Sequence, residues 1–310
     1  FRRVLFRSRM DQALRRSLKE SKSHGNERLP FGTYWYRYGP GEHVIDCHWH
    51  DEAEFFYCLE GETLFQVDTD YFPVRAGEAV FIDGGDIHAA HAHGEQSCAF
   101  FSLVFDTQLL ASAHYDAVQE NLVLPLQERK ATFPRHIRRE EAANLSLLEH
   151  IVSMMRSCST ESPGYEGAVK GHLYLMLAET AAAGRAVNRS FGGSRSESSK
   201  IDRLKTVIQH IQHNYGHPIR LAELAALIPM SEGQFCRFFK SMTRQTPMDY
   251  INSYRIRQAA ELLREPERKI SDIALEVGFD NISYFIRVFR KAMNCSPSEF
   301  RKRLLAPVEV

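Results

Sequence analysis

The last third of the chain carries the most regular hydrophobic pattern. Ile219, Leu221, Leu224, Ala225 and Ile228 recur at helical spacing, and Pro229 and Met230 then make a turn. A second amphipathic run follows from Glu232 to Met242, with Phe235, Phe238 and Phe239 on its inward side. Ser231 stands just before it, where a hydroxyl can accept an orphan N–H of the first turn. The pattern repeats with Ile270, Ile273, Ala274 and Val277. Gly278 offers the left-handed turn that a Cβ resists. Tyr284, Phe285, Val288 and Phe289 then mark the inward side of another helix. Between the two units Pro247 opens a longer helix through Tyr250, Ile251, Tyr254, Ile256, Ala259, Leu262 and Leu263. A short helix, a tight turn and a helix with an exposed polar face is the shape that enters a major groove. The spacing thus predicts an all-α domain over residues 201–305, made of two helix-turn-helix units and a stiff spacer.

The period changes upstream. Thr33–Tyr38, His43–His48, Ala53–Glu60, Glu62–Thr69, Glu78–Asp83 and Ser97–Phe105 are short runs rich in aromatic and branched residues. Glycine-rich turns separate them, which predicts an antiparallel sandwich or barrel. Two helical patterns follow. Leu145, Leu148, Ile151, Val152 and Met155 share one face, and Leu173, Met176, Leu177 and Thr180 share another. Residues 186–200 have the Ser/Gly/Arg composition of a flexible linker. The fold class predicted is α+β with two domains, at residues 29–185 and 201–305. Residues 10–28 read as an N-terminal arm. Residues 1–9 look like a translated adapter tail and are set aside as non-native.

The run Ile273-Ala274, Gly278-Phe279, Ser283-Tyr284-Phe285, Arg287, Phe289, Ser296-Pro297 and Phe300-Arg301 closely resembles the DNA-binding domain of AraC/XylS-type transcription regulators. The resemblance covers about Ile201 to Arg303. It implies sequence readout of double-stranded DNA by Gln234, Cys236 and Arg237 in the first unit and by Ile282, Ser283, Tyr284 and Arg287 in the second. Lys240, Arg290 and Lys291 suit phosphates. It also implies a small-molecule effector, RNA polymerase and a second copy of the chain as partners, with the helix around Leu145–Met155 as a dimer seam. Arg244 stands where relatives often carry glycine, and Gly233 removes one side chain from the first reading helix.

A second constellation sits in the β region. His48-Trp49-His50 and Glu54 precede Gly61, and Gly77 leads through Asp83 and Gly85 to His88. This resembles the two motifs of a cupin barrel, although Asp83 replaces a usual proline and Ala92 a usual asparagine. Alternation along a strand puts His48 and His50 on one face. Three imidazoles and a carboxylate suit Zn²⁺, Ni²⁺, Mn²⁺ or Fe²⁺ with positions left open for water or ligand. The same side chains can instead line a metal-free pocket that hydrogen-bonds a sugar. Trp35, His43, Trp49, Phe55, Phe65 and His91 are candidate walls of an effector pocket. A metal-dependent cupin enzyme, or a regulator for which the metal is itself the signal, are the rival readings. The DNA-reading units weigh against the enzyme.

Charge agrees with this division. From Ile201 onward the chain has 17 basic and 12 acidic side chains, and the first 200 residues have 22 and 27. A basic module on an acidic one fits a DNA reader carried by a sensor. No apolar run approaches the ~20 residues that span a bilayer. The six cysteines form no CxxC pair and read as reduced, mostly buried thiols, which points to a cytoplasmic protein.

Overall fold

The structure is a computed structural model that describes residues 24–25, 29–39, 45–92, 97–184 and 195–305. It divides into two compact units, the described residues up to 184 in one and those from 195 in the other.

The first unit is built on two antiparallel sheets. One has the order β1-β8-β3-β6-β9, with β1 Phe31–Tyr38, β3 Ala53–Glu60, β6 Ala79–Ile82, β8 Cys98–Phe105 and β9 His136–Ile137. The other has the order β2-β7-β4-β5, with β2 Ile45–His48, β4 Glu62–Val67, β5 Asp70–Arg75 and β7 His88–Ala92. Alternation decides what each face meets. Tyr38, Phe56, Cys58, Val80, Ile82 and Phe100 point inward and pack with Phe65, Val67 and Ala90 of the facing sheet. Phe55, Ala79, Phe81, Phe101, Leu103 and Phe105 point outward, where helices cover them. Both faces of β8 are therefore buried, as its unbroken apolar run predicts. β5 and β7 escape the sequence reading. β5 contains Pro73, which only an edge strand tolerates, and β5 is the edge of its sheet. β7 reads His-Ala-Ala-His-Ala, without the branched residues that announce a strand.

Helices α1 (Leu145–Thr160) and α2 (Tyr165–Ala182) form an antiparallel pair over the outward face. The face predicted for α2 is the buried one: Leu173, Met176, Leu177 and Thr180. That predicted for α1 is rotated. Leu147, Leu148, Ile151, Met154 and Cys158 are buried, whereas Leu145 is 47% exposed. Of the stripe expected as a dimer seam, Leu148 and Ile151 are core, whereas Leu145 is exposed and Val152 and Met155 are half-buried. Residues 195–200, read as linker, are instead helical: α3 runs Arg195–Asn214. Its buried Leu204, Val207, Ile208 and Ile211 nucleate the helix, and extension over a polar segment then costs little per residue.

The second unit continues with α4 (Leu221–Leu227), α5 (Glu232–Thr243), α6 (Pro247–Leu262), α7 (Ile270–Glu276), α8 (Ile282–Met293) and α9 (Pro297–Leu305). It is an internal repeat. Ser231, Phe235, Arg237, Phe239, Arg244, Pro247 and Tyr250 correspond to Asn281, Phe285, Arg287, Phe289, Asn294, Pro297 and Phe300. The caps match: Ser231 accepts the Gln234 N–H and Asn281 accepts the Tyr284 N–H. Both reading helices end on a left-handed residue, Arg244 at φ 57° and Asn294 at φ 54°. Asparagine adopts that region at lower cost than arginine. Arg244→Gly is expected to stabilise the unit by roughly 0.5–1 kcal/mol, read as a raised urea midpoint for its helical signal.

Candidate functional site

The barrel site forms where the two sheets face each other. β2 and β7 pair so that His48 lies directly opposite His88, with ring centroids 4.0 Å apart. Glu54 projects from β3 in the other sheet, on the same inward side as Phe56. His50 lies beyond the end of β2, so strand alternation is not what places it. The Gly85 N–H donates to the His50 carbonyl at 2.5 Å. This contact is close because Gly84 has no Cβ: one there would stand 1.9 Å from the Asp51 carbonyl oxygen. The two motifs thereby meet, and the donor atoms of His48, His50, Glu54 and His88 all lie within 4.8 Å of one another.

The outer nitrogens of two rings are already engaged. His50 Nδ1 is 2.9 Å from the Glu52 carbonyl and His88 Nδ1 is 3.0 Å from the Asp86 carbonyl. A carbonyl only accepts, so each Nδ1 carries the proton. In the neutral rings each Nε2 is then a bare lone pair. Yet His50 Nε2 lies 3.1 Å, and His88 Nε2 3.3 Å, from Glu54 Oε2. Three acceptors facing one another require a cation between them, either added protons or a metal ion. Burial by itself raises the Glu54 carboxyl, but with the added protons in place the hydrogen bonds and charge of His50 and His88 outweigh it and hold the group well below the usual carboxylate range. The residues present therefore fit a divalent ion in both donor type and tautomer.

His24 also belongs to this neighbourhood. It is buried, its ring centroid is 5.1 Å from that of His50, and its Nδ1 is 2.7 Å from the Tyr34 hydroxyl. Sequence reasoning missed it because it lies in a polar, aperiodic arm.

Of the six candidate pocket residues five are described, and these do not all face the interior. Trp35 packs on Phe101 at 4.8 Å and Phe55 on Phe81 at 4.8 Å, both on the outward, helix-covered face. These two are corrected from pocket wall to core, because odd positions of β1 and β3 face the helices. Phe65 lies inside, packed 4.7 Å from Phe56 as interior filling. Trp49 is buried. His91 follows Ala90 on β7 and so faces away from His88 and the interior. His43 lies outside the described residues.

In the second unit the two reading helices present their polar sides to solvent. Gln234, Arg237 and Lys240 on α5 are exposed, as are Ile282, Ser283, Tyr284, Arg287, Arg290 and Lys291 on α8, while Cys236 is half-buried. Glu223 and Glu276, on the helices that precede α5 and α8, pair with His210 and Arg268 instead of with the two arginines. Two expectations shift. The hydrophobic pattern puts Tyr284 on the inward side, but it is 38% exposed. The Gln234 carbonyl accepts the Ser231 N–H at 3.1 Å, closing a capping box, so part of this side chain is committed to its own helix.

The comparisons with known proteins follow this division. The family described as Helix-turn-helix domain matches residues 224–303, and the family described as Cupin domain matches residues 34–104. The regulatory protein SoxS of Salmonella typhimurium is 35% identical over 101 residues, which cover 33% of this chain and 94% of SoxS. The chain belongs to the AraC/XylS-type transcription regulators. Full-length likeness points the same way. The HTH-type transcriptional regulator YdeC of Bacillus subtilis is 28% identical, covering 92% of this chain and 96% of YdeC. The transcriptional activator RhaS of Klebsiella pneumoniae is 25% identical, covering 82% and 87%. As an AraC-type regulator the protein joins a DNA-binding unit to a cupin unit. Among the described residues no helix is long and apolar enough to cross a membrane.

A buried arginine that sequence reasoning overlooked holds the DNA-binding unit together. Arg255 on α6 donates from Nε to the Tyr215 carbonyl and from Nη2 to the His217 carbonyl, each at 2.8 Å. It also lies 5.7 Å over the Phe279 ring. Burial lowers its pKa, with the charge of Asp280 opposing. The sequence offered only an arginine in an amphipathic helix, which normally marks the solvent face.

Proposed function

We propose that this AraC-type regulator controls transcription in response to a small hydroxylated metabolite, a sugar or a relative of one, which its barrel senses beside a divalent metal ion. The observation that carries the reading is the convergence of imidazole Nε2 lone pairs on the Glu54 carboxylate. His48, His50, Glu54 and His88 would hold the ion, which would supply open positions suited to vicinal hydroxyls or a carboxylate. His24 and Tyr34 stand beside it as hydrogen-bonding groups. The rest of the interior is filled by Phe56, Phe65 and Phe100, so the polar end of the barrel is the reading's choice for the effector.

On DNA, α5 and α8 would enter successive major grooves about one turn (~34 Å) apart, with the 16-residue α6 setting the separation. Arg237 and Arg287 suit bidentate contact with guanine, and Lys240, Arg290 and Lys291 suit phosphates. A homodimer contacting RNA polymerase completes the proposal. Its pairing would draw on the outward Leu145 and Leu175, not on the buried Leu148 and Ile151.

The test has two arms. Metal-loaded and chelator-treated protein should differ in melting shift across a panel of sugars, and equal shifts would remove the metal from the reading. In the second arm, Arg287→Ala should weaken binding to a selected duplex by ~1–3 kcal/mol and relax preference at one base pair. An unaltered footprint would contradict the role of α8.

A further inference from the structure

The two reading helices are not equivalent. On α8 the Arg287 guanidinium lies 5.2 Å over the Tyr284 ring. The Tyr284 hydroxyl in turn accepts a hydrogen bond from Asn252 Nδ2 at 3.0 Å. Asn252 belongs to the spacer helix α6, and the partners are 32 residues apart in sequence. The Tyr284 ring also meets the buried Phe279, centroids 5.9 Å apart. A continuous path thus leads from the core and the spacer, through an aromatic platform, to an exposed guanidinium.

The first helix-turn-helix lacks this path. The position of Tyr284 is taken there by Gln234, whose carbonyl is held in the capping box. Arg237 has a glycine beneath it: its Nη1 lies 3.8 Å from where a Cβ on Gly233 would stand. Among the described residues Arg237 has no ring partner. Ordering a free arginine on DNA costs rotamer entropy at the moment of binding, and a stack formed beforehand removes part of that cost. The guanidinium is also planar, so tilting the platform beneath it changes which base edge its fork can meet.

We propose that Asn252 and Tyr284 are positioning residues that aim Arg287, which makes α8 the more discriminating reader and gives the spacer helix a part in base choice. This rests on the DNA-binding reading of the second unit. The residues act on Arg287; Asn252 itself need not touch DNA.

The test uses the full chain and duplexes enriched from a randomised library by the unaltered protein. Affinity for an enriched duplex and for its scrambled counterpart is measured by fluorescence anisotropy. Asn252→Ala should lower the ratio of the two affinities about three- to tenfold, with the loss concentrated at one base pair. Binding to the scrambled duplex, its salt dependence and the melting temperature should stay put. Tyr284→Phe keeps the ring and loses only the hydroxyl, so it should reproduce the drop in discrimination without the risk of misfolding. In an Arg287→Ala background Asn252→Ala should change the ratio less than about twofold, since coupled residues do not act additively. An equal loss on both duplexes, no loss, or the same loss without Arg287 would overturn the proposal. Failure of the unaltered chain to enrich any duplex would instead overturn the DNA-binding reading itself.

Discussion

Gly278→Ala should unfold the second helix-turn-helix unit well before the barrel. Gly278 sits at φ 90°, and a Cβ there would stand 2.4 Å from the Tyr215 carbonyl oxygen and 2.8 Å from Arg255 Nη2. The left-handed backbone alone costs a residue with a Cβ about 1–2 kcal/mol. Forcing a carbon against a backbone oxygen and a hydrogen-bonded guanidinium adds roughly 1–3 kcal/mol. The total, ~2–5 kcal/mol, is a large share of the ~5–15 kcal/mol that holds a typical domain together. Displacing Arg255 would also strand the two carbonyls it satisfies. Both tryptophans, Trp35 and Trp49, lie in the barrel unit, so their fluorescence reports that unit, whereas most helical residues lie in the second unit and dominate the helical circular dichroism signal. In urea the helical circular dichroism signal should fall at a lower midpoint while the tryptophan fluorescence transition keeps its place. DNA affinity should drop with the former. Coincident curves for variant and parent would show that the turn can relax, and would remove the argument from close approach.

The second large effect concerns Glu54. Glu54→Gln keeps the shape of the side chain and replaces an acceptor by an amide whose NH₂ can donate. In chelator-treated protein the substitution gives up the pairing that holds the Glu54 carboxyl low, while its NH₂ can donate to a bare Nε2, so the barrel should lose little stability. With metal the gap should widen. A ligand present at a hundred times its Kd adds ~2.7 kcal/mol to the folded state. The parent should gain that increment from Zn²⁺, Ni²⁺ or Mn²⁺. The variant, lacking the anionic ligand, should bind at least about a hundredfold more weakly and gain little. Melting curves of both proteins, with chelator and with each metal, check this in one experiment. A parent that gains nothing from any of these ions would leave the cluster as a proton-bridged core network, with His50 and His88 as imidazolium partners of the carboxylate.

How far the sequence reaches differs between the two sites. The solvent-facing sides of α5 and α8 were legible because they follow from local periodicity. Once Phe235 and Phe239 are buried on α5, Arg237 must face away from the core, and Phe285 and Phe289 do the same for Arg287 on α8. The four clustered barrel side chains, His48, His50, Glu54 and His88, were legible as a pattern, but strand alternation does not account for all of them. Alternation accounts for His48, whereas His50 is held by the loop at Gly84 and Gly85. The pocket walls failed because alternation within a strand says that Phe55 and Phe56 face opposite ways, and says nothing of which side is the interior.

The linear order of residues thus fixed what depends on near neighbours: two repeated turn-helix units, their caps, the strained Arg244, and the side of each reading helix that meets solvent. Tertiary structure decided what depends on segments far apart in the chain. It chose the inner face of each sheet, brought His24 beside His50, buried Arg255 under Phe279, and set Asn252 against Tyr284. The physical reason is range. Backbone geometry imposes a period of two or 3.6 residues wherever it runs, but which faces meet is settled only when whole elements exclude water together, and that choice is not written in any one of them.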